Sequence, residues 1–236
     1  PQGDWEVLVD AQSGEIRRVE DRACYYVNGT GMVHRPDPLT SAGANYNDAG
    51  YTDGGDANTA QLQAQRFFVT LYDITDLYIW PVGTYYYLNG PWVNLQDLEA
   101  PSGSPIVQFE NTNFSYTRDA QAFEDVMCYY HLDMSQRWIQ ALGFTNIQYG
   151  SIACDPHGFN GEDNSHYVPG DNHLAFGEGG VDDAEDADVI WHEYGHAIQA
   201  SSVPGWGGGD EGSMGEGFGD YWATSYSHLL YTFHDT

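Results

Sequence analysis

The sequence predicts an α+β chain, β-rich up to about residue 180 and helical beyond it. Three stretches carry that prediction. Residues 64–101, "AQRFFVTLYDITDLYIWPVGTYYYLNGPWVNLQDLEAP", are dense in β-branched and aromatic side chains and punctuated by "VG" and "NG", which suits several strands of an antiparallel sheet. Over 117–142, Phe123, Met127, Tyr130, Met134 and Trp138 or Ile139 recur at helical spacing. A second helix runs through "VIWHEYGHAIQA", Val189 to Ala200, behind a run of acids from Asp182 to Asp188 that complements the positive end of its dipole.

Taken in order, residues 4–22 predict a hairpin. Trp5, Val7 and Val9 alternate with polar residues, and "DAQSG" supplies a turn with Gly14 suited to positive φ. A two-stranded ribbon alone is marginal, so this piece is expected to dock on the rest or to be the tail of another domain. Residues 28–60 are rich in Gly, Asn, Asp and Pro and predict loops with short strands at best. The helix over 117–142 has Thr117 as its cap, Asp119 in its first turn and Gly143 as its stop. His131 lies inside it, with no partner motif adjacent, and reads as a packed or surface residue. Residues 144–180 predict short strands and loops, and His157, His166 and His173 there lack ligand spacing. "SSVPG" ends the last helix. Three units follow: 1–22 as the hairpin, 23–180 as a β-rich lobe with one long helix, and 181–236 as a motif-bearing helix and the start of a helical lobe.

Asp and Glu number 35 against 7 basic residues, all arginine, for a formal net charge of −28. Phosphates would be repelled, which argues against nucleic acid or an anionic membrane as partner. Three readings of the charge stay open: a soluble secreted surface, adaptation to high salt, where screening weakens like-charge repulsion, and Ca2+ binding by clustered carboxylates. No run of apolar residues is long enough to span a bilayer. Cys24, Cys128 and Cys154 match no CxxC pattern; one disulfide with a free thiol and three buried thiols both fit.

The chemistry sits in HEYGH. His192 and His196 are four apart, so on a helix both imidazoles share one face and can hold one metal ion. Glu193 is a residue on, about 100° around the axis, placed to act as general base on a metal-activated water rather than as a ligand. A catalytic zinc usually has three protein ligands and an open position. "GSMGEGFGDYWA" offers the third: Glu216, twenty residues after His196 and past a break, can return on a second helix. Asp220, four residues later, lies on the same face and suits a carboxylate that holds the N–H of a ligating His. The metzincin alternative needs a His six residues after the second, and that position is Ser202. A His, His, Glu set suits Zn2+. Gly195, inside the helix, costs about 1 kcal/mol against Ala, and a close approach by another backbone would explain it.

"HEYGH…EGFGD" resembles the gluzincin motif, and its context resembles the thermolysin and fungalysin families of secreted metallopeptidases. The resemblance is motif-specific over about 160–225 and general before that. It implies a thermolysin-like fold with a β-rich N-terminal lobe, and a zinc endopeptidase with His192, His196 and Glu216 as ligands, Glu193 as base and Asp220 orienting His192. It implies Ca2+ near Asp188. "DNSHYVPG" resembles the family's edge strand, with Asn164 and Ser165 holding a peptide or protein substrate. "WEVLVDAQSGEI" resembles the end of an inhibitory propeptide, which makes the chain's own propeptide a partner. The family continues through a helical lobe bearing a His that steadies the oxyanion; His228 and His234 stand too near Glu216 to match it. Two expectations follow: a secreted, extracellular endopeptidase of which this is a fragment, or an inactive or truncated metallopeptidase-like module kept for binding or regulation.

Overall fold

In the computed structural model, which describes residues 4–21, 25–52, 57–79, 81–205 and 208–234, two sheets and three long helices meet around one core. Cys24 lies outside the described residues. The architecture is mixed α+β, and no helix among the described residues is long and apolar enough to cross a membrane.

The N-terminal hairpin forms as β1 (Trp5–Val9) and β2 (Ile16–Asp21), with Val7 opposite Val19. The Asp10 carboxylate accepts the N–H groups of Gln12 and Ser13 at 2.9 Å, and Gly14 takes φ 73°, the turn that the sequence predicts. Docking is not seen: Trp5, Val7, Val9, Ile16 and Val19 stay exposed, and the ribbon is a sheet to itself.

The segment after it corrects the loop expectation. β3 (Tyr25–Val33) is a nine-residue strand inside a five-stranded sheet, in spite of its "NGTG". Packing explains the glycines. A Cβ at Gly29 would lie 2.8 Å from Ile74 and from the Thr112 carbonyl, and one at Gly31 would lie 2.8 Å from Val126. The strand carries Gly because its neighbours leave no room for a side chain. Two short helices follow: α1 (Pro38–Ala42), capped by Asp37 with Pro38 in its first turn and Gly43 left-handed at its end, and α2 (Ala60–Gln63), capped by Thr59. β4 (Phe67–Ile79) pairs antiparallel with β3, and β5 (Gly83–Tyr87) antiparallel with β4, as expected. β6 (Val93–Leu95) does not join them. Its partner is β9 (Ile152–Asp155), and the pairing is parallel. β7 (Val107–Phe109) and β8 (Asn113–Phe114) complete the first sheet, in the order β7-β5-β4-β3-β8. β10 (Ser165–Val168) and β11 (His173–Phe176) complete the second, in the order β10-β11-β9-β6, which leaves β10 at the edge.

The predicted long helix is α3 (Ala122–Ala141), five residues shorter at its start. Thr117 does not cap it: its hydroxyl bonds to Asp119, and residues 118–121 form a turn and bend ahead of the helix. Gly143, at φ 93°, ends it as expected. α3 is buried on nearly every side, including Glu124, Asp125, His131 and Asp133. His131 is packed: its Nε2 lies 2.9 Å from the His34 carbonyl, and burial holds both imidazoles down to about 3, so both stay neutral. Cys128 and Cys154 are buried and unlinked.

α4 (Ala187–Ser202) packs on α3 through Ile190, Trp191, Tyr194 and Ile198. Tyr194 donates to Gln136 at 2.6 Å and Trp191 to the His131 carbonyl at 3.3 Å. Of the acids ahead of the helix, Asp186 is the cap, taking the Asp188 N–H at 2.8 Å. Glu185 is buried and pairs with Arg118 at 2.8 Å. α5 (Gly209–His234) begins sooner than its glycines suggest. The two helices touch backbone to backbone, because a Cβ on Gly195 would sit 2.8 Å from the Cα of Gly219. That contact accounts for the glycine inside the motif.

Two predictions follow from this packing. Gly195→Ala gains helix propensity of about 1 kcal/mol, but must push α5 away. Urea unfolding should show a net loss of about 1–3 kcal/mol; a gain would mean that the helices do not meet at this glycine. Glu124 concerns protonation. Burial first, and then Glu185, push its carboxyl up to about 10, so the folded chain holds a proton that the unfolded chain gives up above about 4.5. The associated stability is full below that value and is lost as pH rises toward about 10. Glu124→Gln needs no proton. Its melting temperature should exceed the parent's at pH 8 and match it near pH 4; an equal difference at both pH values would exclude a neutral Glu124.

Candidate metal centre

Helical spacing puts His192 and His196 on one face of α4, with ring centroids 5.0 Å apart. α5 crosses that face and brings Glu216 to both. Its Oε2 lies 3.2 Å from Nε2 of His192 and 3.7 Å from Nε2 of His196. Ligand atoms around a tetrahedral ion with bonds of 2.0–2.1 Å stand about 3.3 Å apart, so Oε2 of Glu216 stands near ligand-to-ligand spacing from each imidazole. Asp220, one turn further on α5, places Oδ1 3.0 Å from Nδ1 of His192. That contact engages the nitrogen that is not turned to Glu216. A Cβ on Gly219 would lie 2.9 Å from the His192 ring, so the helix approaches this closely only with glycine there. Burial, opposed by Glu216, lowers His196 below the usual imidazole range, which favours the neutral ring that a metal requires.

Glu193 is buried, and its carboxylate stands close enough to His192 and His196 to form a group with all ligand atoms within 4.8 Å. Burial first pushes its carboxyl up to about 7; His192 pulls it back, Glu216 raises it, and the Tyr167 backbone N–H lowers it. A carboxyl poised near neutrality beside a candidate metal-ligand set is suited to take and return a proton.

A cleft runs between α4 and the edge strand, lined by Ser165, His166, Tyr167, His192, Glu193 and Glu216 among others. Asn164 and Ser165 stand at the start of β10. The Asn164 carbonyl accepts from Gly177 at 3.1 Å, and the Ser165 hydroxyl donates to Asp183 at 2.6 Å. Ser165 is thus tied into the fold by its side chain, while the outer backbone edge of β10 has no partner strand among the described residues. Asp188 lines the adjoining cleft with Asp220. Burial pushes its carboxyl up to about 6, and it belongs to none of the ion-binding groups found among the described residues. His228 lies on α5 twelve residues beyond Glu216, about 18 Å along the axis and away from this centre. The side chain of His234 lies outside the described residues.

Two further groups gather ligand atoms within 4.8 Å: Glu99, His166 and His173, and Glu124, Asp182 and Glu185. The first eluded sequence reasoning. Its histidines are seven apart, about 10 Å along a helix axis and so too far to share an ion there, and only the register of β10 on β11 brings them together. The turn-forming "PGDN" between them is the signal that could have found it. His157 is buried between Asp125 at 3.2 Å and Glu178 at 2.9 Å; burial lowers its pKa, but these carboxylates outweigh it and raise it overall.

No family model and no curated protein matches this chain. Among solved structures it is similar to the precursor of protealysin, a metalloproteinase from Serratia proteamaculans, with a TM-score of 0.42 and 16% identity over 58% of this chain and 42% of that one. The chain therefore spans less than half the length of that precursor.

Proposed function

We propose that the chain is the metal-bearing part of a secreted zinc-dependent endopeptidase of the gluzincin kind, thermolysin-like in its fold, with His192, His196 and Glu216 as ligands. One observation carries the reading: two helices bring these three donors together while a second carboxyl, on Glu193, lies beside the imidazoles, buried and near neutrality. Bound there, Zn2+ would polarise a scissile carbonyl and acidify water. Glu193 takes the proton from the attacking water and passes it to the leaving amine. Asp220 keeps His192 in the orientation that presents Nε2. The open edge of β10 offers backbone groups to a peptide or protein substrate in extended form. The net charge of −28 fits an extracellular, saline setting and argues against nucleic acid as partner. The N-terminal hairpin is proposed as the end of the chain's own propeptide, and Asp188 as a Ca2+ contact.

Glu193→Gln separates binding from chemistry. The variant should hold as much Zn2+ as the parent by metal analysis, while hydrolysis of a casein-type substrate falls on the order of 100- to 10,000-fold. Equal cleavage by both proteins would remove Glu193 as the base. No cleavage by a zinc-loaded parent would favour a binding or regulatory module over an enzyme.

A further inference from the structure

We propose a second site for a divalent transition metal, of the Zn2+ class, formed by Glu99, His166 and His173 at the β10–β11 hairpin. Three elements supply it. His166 on β10 pairs with Ala175, and His173 on β11 pairs with Val168, so the two imidazoles occupy diagonal positions on one face of the hairpin. Glu99 comes from the loop after β6 and places Oε1 2.7 Å from Nε2 of His166 and 2.9 Å from Nε2 of His173. All three ligand atoms lie within 4.8 Å of one another.

The surroundings fix the ligands in place. Glu99 Oε2 accepts the Phe159 N–H at 3.2 Å, which orients the carboxylate from behind. The Phe159 ring stands edge-on to His166, with centroids 4.7 Å apart. β11 is itself held by parallel pairing with β9. Side-chain exposure is graded, at 11% for His173, 22% for Glu99 and 37% for His166, so the group is partly buried and reaches solvent at its His166 end. An ion held there keeps a position for solvent. Two imidazoles and one carboxylate select zinc-class ions over Ca2+ and Mg2+, which favour all-oxygen sets. In the metal-free chain the two rings crowd a single carboxylate oxygen. Ion entry releases the proton from each Nε2 that carries one and opens the contacts to about 3.3 Å. The ion would tie the loop after β6 to the edge strand. The site uses no residue of the HEYGH centre and stands or falls apart from it.

Zinc content after gel filtration, read by native mass spectrometry, tests the proposal. The parent should hold one more equivalent of Zn2+ than the His166→Gln/His173→Gln variant, and His192→Gln should still hold the ion of the second site. Equal zinc in the parent and the double variant would overturn the proposal. Retention of both equivalents by His192→Gln would count only against the ligand set on α4 and α5. A measurement on the parent avoids any folding defect in the variants. Diethyl pyrocarbonate labelling, mapped by peptide, should modify His166 and His173 at least tenfold more slowly with Zn2+ present; an unchanged rate would overturn the proposal equally.

Discussion

The constraint on which the candidate site depends is the contact of two helix backbones at Gly195 and Gly219. A side chain at either position would separate α4 from α5 or strike the His192 ring. The three candidate ligands come from these two helices, so their convergence depends on the interaxial distance. Side chains lock the pair from outside. Trp191 meets Tyr226 edge-on at 4.8 Å, and Trp222 stacks on Tyr226. Each glycine gives up helix propensity of about 1 kcal/mol, and that sacrifice is what lets Glu216 reach both imidazoles.

Charge follows the same logic of position. A net charge of −28 is borne mostly by solvated carboxylates, but some acids are inside, and burial raises Glu124, Asp133, Asp186 and Glu193. Their partners decide what each does. Asp133 is bound by Arg137 at 2.6 Å, and Arg137 reaches on to Asp73 at 2.7 Å, so that acid ties α3 to β4. Asp186 is spent on a helix cap. Glu193 has only a backbone N–H and the neighbouring imidazole against its desolvation, which leaves it near neutrality in a cleft. Burial thus holds one carboxyl ready to exchange a proton while others serve structure.

The parts legible in the sequence were those whose period or punctuation is local. HEYGH implies its own helix, Gly143 implies the end of α3, and "DAQSG" implies a turn. The spacing of Glu216 and Asp220 implies a second helix, and both do sit on α5. What could not be read depends on contacts distant in the chain. Gly29 and Gly31 look like loop residues until Ile74 and Val126 press against them. β6 sits in a run of antiparallel strands yet pairs with β9, some sixty residues on, in the other sheet. Thr117 looks like a cap, but its hydroxyl is taken by Asp119. Likewise His166 and His173 have no meaning as a spacing until a strand register places them on one face.

β10 connects these levels. In a strand, side chains alternate between faces while backbone groups point along the sheet. His166 therefore reaches the Glu99 side, and the next residue, Tyr167, turns its N–H to Glu193 on α4. A slip of one residue in this edge strand would exchange the faces of all its side chains, breaking the His166 to Glu99 contact and the Tyr167 to Glu193 contact together. Its register is held on one side only, by β11, and an edge strand with one neighbour is the kind most prone to slip. Glu99, bound to a histidine on each strand of the hairpin, spans that pairing and opposes the slip. The geometry of the general-base candidate on α4 thus rests in part on Glu99, a carboxylate from the loop after β6.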